Sequence, residues 1–218
     1  MKKFTVALAF MLLGIVTINW FVGETSTAMA AMEPSDVEEE EQDNLKCTGK
    51  HRRFVLDSAI EWGLTGEIFN TVIPCLEGGY SQEIVINSPG GSPTTAHGIY
   101  EALRLVDTEN RLTTTVYGSA HSAAMYVFLA GANRNISCSS TMQIHPVTLR
   151  VITSSNDRTE LDSFPERWEK TEARSVSILA RRTNLTEADV RELKLGHRLL
   201  SAEDALEHGI ATEVIGCV

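Results

Sequence analysis

Ser122 and His145 are the two side chains whose type and context best suit them to do chemistry together. Ser122 closes the small-residue turn Gly118-Ser119-Ala120-His121-Ser122, between the strand-like run Leu112–Tyr117 and an apolar helical run, Ala123–Ala130, stopped by Gly131. A serine at such a junction has its hydroxyl fixed on a tight turn. It also lies beside the first helical N–H groups and the positive helix end, which favour a developing oxyanion. His145 ends the next strand-like run, Thr141–Ile144, and is a candidate base. A serine in this setting is more often a plain N-cap, but a second turn of the same kind lies upstream. The buried-type strand Ile84-Val85-Ile86 runs through Asn87-Ser88-Pro89-Gly90-Gly91-Ser92 into a helix over Thr94–Leu105. Two strand-turn-helix units with exposed N–H groups at their turns can face each other across one pocket.

The elements that must position these residues alternate. Phe54–Leu56 reads as a strand, Phe69–Leu76 as helical or mixed up to Gly78-Gly79, and Glu83–Ile86 as the next strand. Strand-turn-helix then recurs at 84–105 and 112–130, which points to βαβ units in an α/β fold. Val147–Thr153 is rich in β-branched residues and is expected to be extended. Glu160–Thr183 has helical composition, with Pro165 expected only in a first turn or at a break. Thr186 with Asp189, and Ser201 with Asp204, read as capping boxes opening two further helices, the second over Ala202–Glu207 and ended by Gly209. Ser201 is therefore a cap and not a second nucleophile. Ile210–Val218 is expected to close the sheet. His121 adjoins Ser122, but neighbours on a turn point apart, and His97 and His208 read as exposed helical histidines.

These residues carry a resemblance. INSPGGS, HGIYEAL, GSAHSAAMYVFLAGANR, QIHP and LLSAEDALEHGIATEVI, in that order from about Gly66 to the C-terminus, resemble the Clp protease proteolytic subunit family. The resemblance implies a Clp-like or crotonase-like α/β fold, a superhelical stack of βαβ units. The family pattern GxAxS matches Gly118, Ala120 and Ser122, implying Ser122 as nucleophile. Its IHQP matches Ile144-His145-Pro146 with one residue missing, implying His145 as base. By the same matching the N–H groups of Gly91 and Ala123 form the oxyanion hole, Gly90 and Ser92 adjoin substrate, and Thr148, Leu149, Arg150 and Val151 pair with it as an added strand. The helical region 160–183 corresponds to the family's handle, implying a homo-oligomeric ring. One position departs: the family's third triad member is an Asp four residues before the SA of its LSA block, where this chain has His197. His197 is a candidate third member, with Asp189, Glu192 and Asp204 as candidate substitutes. An imidazole in that place lacks the carboxylate's charge to stabilise an imidazolium.

The 218 residues, 43% hydrophobic, suffice for one full core. Lys2 and Lys3 precede the apolar run Phe4–Val22, and Ala28-Met29-Ala30 supplies a cleavage pattern, so residues 1–30 read as a secretory signal peptide. Left uncleaved, the run has marginal length for a membrane anchor. Export places the chain in the periplasm or outside the cell, and no ATP-driven unfoldase is assumed as partner there. Residues 31–46, with Glu38-Glu39-Glu40-Glu41, read as an acidic disordered linker, leaving 47–218 as the peptidase domain. In an oxidising compartment Cys47, Cys75, Cys138 and Cys217 allow three pairings. A Cys47–Cys217 bridge tying the termini is one expectation, and a buried free Cys138 is another. The net charge of −10 becomes −11 once two positive residues and one negative leave with residues 1–30, which argues against nucleic acid. No HExxH, paired CxxC or P-loop is present, so no metal or cofactor is expected.

The function these observations imply is an exported serine endopeptidase acting on peptides or unfolded protein. Two rivals stand beside it: a catalytically impaired peptide-binding or assembly protein of the same fold, motivated by His197, and a crotonase-like enzyme acting on acyl-CoA. The latter fold also uses paired N–H oxyanion holes, but acyl-CoA is intracellular.

Overall fold

The computed structural model describes residues 47–148 and 158–217. The expected signal peptide, the acidic linker, and Leu149, Arg150 and Val151 lie outside the described residues. After a 3₁₀ turn the elements follow as β1 (Arg53–Leu56), α1 (Trp62–Glu77), β2 (Gln82–Ser88), α2 (Pro93–Val106), β3 (Leu112–His121), α3 (Ala124–Ala130), β4 (Asn133–Ser137), β5 (Thr141–Gln143), α4 (Arg158–Arg182), α5 (Glu187–Leu195), β6 (Leu199–Leu200), α6 (Ala202–Glu207) and β7 (Glu213–Ile215). Strands β1-β2-β3-β4-β7 form a parallel sheet in that order. The architecture is the expected α/β alternation, in which parallel strands are joined by helical crossovers.

β3 is long because it serves two neighbourhoods. Its first half, Leu112–Val116, pairs with β2 and β4. Its second half, Ser119–His121, pairs in parallel with β5, which in turn carries β6 antiparallel. The register to β2 shifts between Ile86 and Ser88, whose partners are Val116 and Ala120. Gly118 takes up that bulge at φ +96°, and a Cβ there would sit 2.6 Å from Asn87 Oδ1. Asn87 Oδ1 instead accepts from the Ser119 N–H, and Ser140 Oγ accepts from the Gly118 N–H at 2.8 Å. The glycine of the GxAxS pattern is thus a backbone requirement of the bend that delivers Ser122.

α3 is apolar on every side and buried on every side, all seven residues being inaccessible. Ile84 and Ile86 of β2, Ile99 and Leu103 of α2, and Val176, Ile178 and Leu179 of α4 belong to the same core. The C-terminal carbonyls of α3 are satisfied by arginines. Arg182 Nε donates to Leu129 O at 2.9 Å, its second nitrogen donates to Gly131 O at 2.8 Å, and Arg134 also reaches Gly131 O. Cations at this end meet both the orphan carbonyls and the negative helix pole. Burial, with Arg182 and Arg104 nearby, brings the Arg134 guanidinium down to about 10.

Several expectations are corrected. Cys47 pairs with Cys75 and Cys138 with Cys217, at Cα separations of 5.3 and 5.5 Å, so neither the terminal bridge nor a free Cys138 is formed. Cys138, whose context reads as strand-like in the sequence, directly follows β4. β4 lies beside β7, and the Cys138 N–H donates to Ile215 O, bringing Cys217 opposite it. Cys75 lies on the buried side of α1, where the chain preceding β1 crosses it. Pro165 is inside α4 rather than at a break. The carbonyl it leaves without a donor belongs to Leu161, an exposed residue that water can reach. Of the extended stretch expected over 147–153, only Val147 and Thr148 are described, and neither is in a regular strand. Both predicted capping boxes are formed. Among the described residues no helix is long and apolar enough to cross a membrane.

His97 is buried, not exposed, with Nε2 3.1 Å from Ser175 Oγ and its ring edge-on to Tyr126 at 4.6 Å. Burial, helped by the charges of Arg174 and Lys194, lowers its pKa to about 4. The unfolded chain, with an ordinary histidine pKa of about 6.5, therefore binds more protons than the folded one between those values. His97 contributes stability above pH 6.5 that is lost as pH falls towards 4, up to about 3 kcal/mol. Thermal unfolding should show the melting temperature falling over that window, with a smaller fall in His97→Gln. An identical fall in the variant would remove His97 as the cause.

The loop closed by Cys138–Cys217 spans 79 positions and that by Cys47–Cys75 spans 28. Chain-entropy reasoning assigns them roughly 4.5 and 3.6 kcal/mol. Cys138→Ser is expected to lower stability in urea unfolding more than Cys75→Ser, and equal or reversed losses would contradict that ordering.

Candidate active site

Ser122 lies between the end of β3 and the start of α3 with φ +52°, a left-handed conformation that a serine rarely adopts. Its N–H donates to Gln143 O of β5 at 2.8 Å, and its carbonyl accepts from Met125 N–H as α3 begins. This is a sharp, strained strand-to-helix turn that displays the hydroxyl, and such strain is held only where the surroundings over-determine it. Here they do. Gly90, at φ +93°, approaches so closely that an added Cβ would lie 2.5 Å from His121 O and 2.8 Å from Ser122 Cβ. The two glycine-rich turns expected to face each other are in direct contact.

Ser122, Ala123, Gly91, His145 and Thr148 line one cavity of about 100 Å³, with Pro93, Met125, Tyr126, Ile144 and Val147. The Gly91 and Ala123 N–H groups have no acceptor among the described residues, whereas the main-chain groups on either side of Gly91 are committed. Gly90 N–H donates to Ser88 Oγ, Gly90 O accepts from Ile60 N–H, and Ser92 N–H donates to Ile60 O. Ser92 Oγ caps α2 through the Thr95 N–H. Gly90 and Ser92, both expected beside substrate, therefore shape the turn and do not line the cavity. Gly91, at φ +152°, is pressed against Ile60, whose carbonyl a Cβ would meet at 2.4 Å.

His145 stands just beyond β5. Its Nδ1 lies 2.6 Å from the carbonyl oxygen of Pro146, an acceptor only, so Nδ1 carries the proton and Nε2 is left with a free lone pair. No hydrogen bond joins His145 to Ser122 Oγ in this state, although both face the same cavity. His197 is brought close because Ile144 N–H donates to Arg198 O at 2.9 Å, alongside the β5–β6 pairing. The two imidazoles stack, with centroids 5.8 Å apart and planes at 9°. The Nδ1 proton is already committed to Pro146 O and no hydrogen bond joins the two rings, so His197 adjoins His145 without accepting that proton. His197 itself is exposed and ends α5 in the left-handed conformation at φ +48°, with its N–H on Lys194 O.

The substitute acids are engaged elsewhere. Asp189 accepts from Thr186 and Asp204 from the Ser201 N–H, and these bonds hold both carboxyls below the usual aspartate range. Glu192 is exposed on α5. His121 Nε2 is 3.1 Å from Thr141 Oγ1, and burial lowers its pKa. Among the described residues no cluster of three or more His, Cys, Asp or Glu is arranged to hold a metal. Sequence reasoning missed Glu172, Trp168 and Lys194, which gather beneath the Val147 end of the cavity. A charged residue in the polar-looking stretch 158–182 carries no signal that it is turned inwards.

Gly90→Ala should keep the fold but displace the Ser122 turn, giving a rate of fluorophosphonate labelling reduced by about 100-fold, since ångström displacements act on this scale. An unchanged labelling rate in a folded variant would show that the turns do not need this contact.

A family model described as Clp protease matches residues 36–217. ATP-dependent Clp protease proteolytic subunit 3 of Frankia casuarinae is 31% identical over 134 residues, 61% of this chain and 61% of that protein. Subunit 1 of Corynebacterium diphtheriae is 33% identical over 132 residues, covering 59% and 61%. The alignment thus spans about three fifths of the length of these relatives. Among solved structures, a mutant of ClpP1 from Listeria monocytogenes superposes with a TM-score of 0.64 over 82% of this chain and 95% of that one, at 18% identity. That likeness establishes the Clp-like fold.

Proposed function

Because the chain belongs to the Clp protease family, we propose that it is an exported serine endopeptidase that hydrolyses peptide bonds through an acyl-enzyme. The observation carrying this reading is the pairing of a strained, displayed Ser122 with two unfilled N–H donors in one cavity. His145 Nε2 takes the Ser122 hydroxyl proton as Oγ attacks the scissile carbonyl. The Gly91 and Ala123 N–H groups receive the oxyanion, the positive end of α3 adding to the field. The imidazolium then gives its proton to the leaving amine as the C–N bond breaks, and water, activated by the same Nε2, releases the acyl group.

In this mechanism the main-chain carbonyl of Pro146 orients His145, the task a carboxylate performs in the usual triad. A neutral carbonyl fixes the tautomer but supplies less charge to stabilise the imidazolium, so turnover is slow. Thr148, with Leu149, Arg150 and Val151, offers its main chain to an extended substrate. The chain assembles as a homo-oligomeric ring through α4. Two disulfides support an oxidising compartment, periplasmic or extracellular, where peptides or unfolded proteins are the substrates and no ATP-driven unfoldase is required.

The non-catalytic alternative draws on one observation, the missing hydrogen bond between Ser122 and His145. Purified protein treated with a fluorophosphonate probe decides between them. Labelling is expected, with loss in Ser122→Ala and a fall of at least about 1,000-fold in His145→Ala. His197→Ala should cost less than about 10-fold, because Pro146 and not His197 holds the Nδ1 proton of His145. His197→Asp should raise kcat/KM by about 10-fold or more, by restoring a negative charge near the imidazolium. Peptide binding without any labelling would replace the peptidase by a groove that only binds.

A further inference from the structure

His145 is carried on a short piece of chain held at both ends. On one side Ile144 N–H is fixed to Arg198 O at 2.9 Å. On the other, both main-chain groups of Val147 are taken by side chains of α4: its N–H donates to Glu172 Oε2 at 2.7 Å, and its carbonyl accepts from Trp168 Nε1 at 2.7 Å. Trp168 and Glu172 are four apart and so share one helix face. The other Glu172 oxygen lies 3.0 Å from the Nζ of Lys194 on α5, a lysine with only 1% of its side chain exposed. Nζ makes no aligned hydrogen bond among the described residues, so the lysine is held as a buried ion pair with Glu172. Burial pulls the Lys194 ammonium below the usual lysine range, and Glu172 opposes that pull.

We infer that Glu172 and Trp168 are positioning residues that clamp Val147, with Lys194 as the buried counter-charge, and thereby set where His145 stands relative to Ser122. The inference rests on the Ser122–His145 reading above. Filling the space between α4 and α5 does not require charge. An apolar pair of similar volume at buried ion-pair positions is often equal or better for stability. What the carboxylate adds is an acceptor for the Val147 N–H, three residues from the opposing anchor at Ile144. Without it, Val147 keeps only its bond from Trp168 and one of the two fastenings to α4 is gone, so the chain that carries His145 can shift relative to Ser122, and reaction rates respond steeply to displacements of this kind.

The test compares two double variants with the unaltered protein. Glu172→Leu with Lys194→Met removes the acceptor and both charges together. Its melting temperature should stay within a few degrees and KM for a fluorogenic peptide within about 3-fold. Its kcat and its rate of fluorophosphonate labelling should fall about 10- to 100-fold. Glu172→Gln with Lys194→Met restores an uncharged acceptor and should recover kcat to within about 3-fold of the unaltered protein. Equal kcat in the apolar double variant and the unaltered protein, or no recovery with Gln, overturns the clamp. If the unaltered protein neither labels nor cleaves, the peptidase reading fails separately, and amide exchange still decides the clamp. Val147 N–H should exchange slowly in the unaltered protein and quickly in the apolar double variant, and fast exchange in the unaltered protein refutes it.

Discussion

One short helix is finished in opposite ways at its two ends, and the rest of the structure follows from that. α3 has seven residues, too few to be stable alone, and it is buried from end to end. Its C-terminal carbonyls are covered by Arg182 and Arg134, drawn from α4 and β4, so that pole is neutralised inside the protein. Its N-terminal side is left without a side-chain cap, and Ala123, whose N–H has no acceptor among the described residues, lines the cavity. An unfilled donor at a buried helix start is unfavourable unless something occupies it. A carbonyl oxygen that becomes an oxyanion is the group best matched to such a donor.

The cavity is then defined by contact between two turns rather than by side chains reaching across it. Gly90 lies against Ser122 and His121, Gly91 against Ile60, and Gly118 against Asn87, each at a separation that excludes a Cβ. At Gly90 and Gly91 main chain meets main chain, where little can adjust, whereas Gly118 meets the Asn87 side chain, and this close packing holds the left-handed Ser122. Side-chain bonds finish the arrangement: Ser88 on Ser58, Asn87 on Ser119, and Ser140 on Gly118. The strain in the nucleophile turn is supported by three strands and the chain before α1, so no single bond carries it.

His145 depends on a different device. Ser122 is set by sheet and turn, but the histidine stands on irregular chain past the end of β5, where no ladder can fix it. Its ring is steadied by the Pro146 carbonyl, and its main chain by Ile144 and Val147. The Nδ1 proton is engaged in either arrangement, with a carbonyl or with a carboxylate. What changes is the electrostatic support for the imidazolium, and hence the rate expected of such a site. The bonds from Trp168 and Glu172 to Val147 also join α4 to the chain two residues beyond His145.

By itself the sequence determined the alternation of strand, turn and helix, the two facing glycine turns, the Ser122 and His145 candidates, and both capping boxes. These depend on local rules: φ above zero at a turn favours Gly, a cap needs an oxygen at a set spacing, and apolar periodicity marks burial. Features decided by what lies next to what were not legible. The cysteine partners follow from β4 meeting β7 and from the chain crossing α1. His97 reads as surface on its own helix and becomes buried only because α4 brings Ser175 over it. Glu172 and Lys194 are ordinary charged helix residues until α4 and α5 pack together and turn them onto the main chain of Val147. The sequence offers His197 as a candidate third member, but only the tertiary structure places its ring near that of His145 with the Nδ1 proton held by Pro146 instead, because ring orientation is set by packing and not by spacing along the chain.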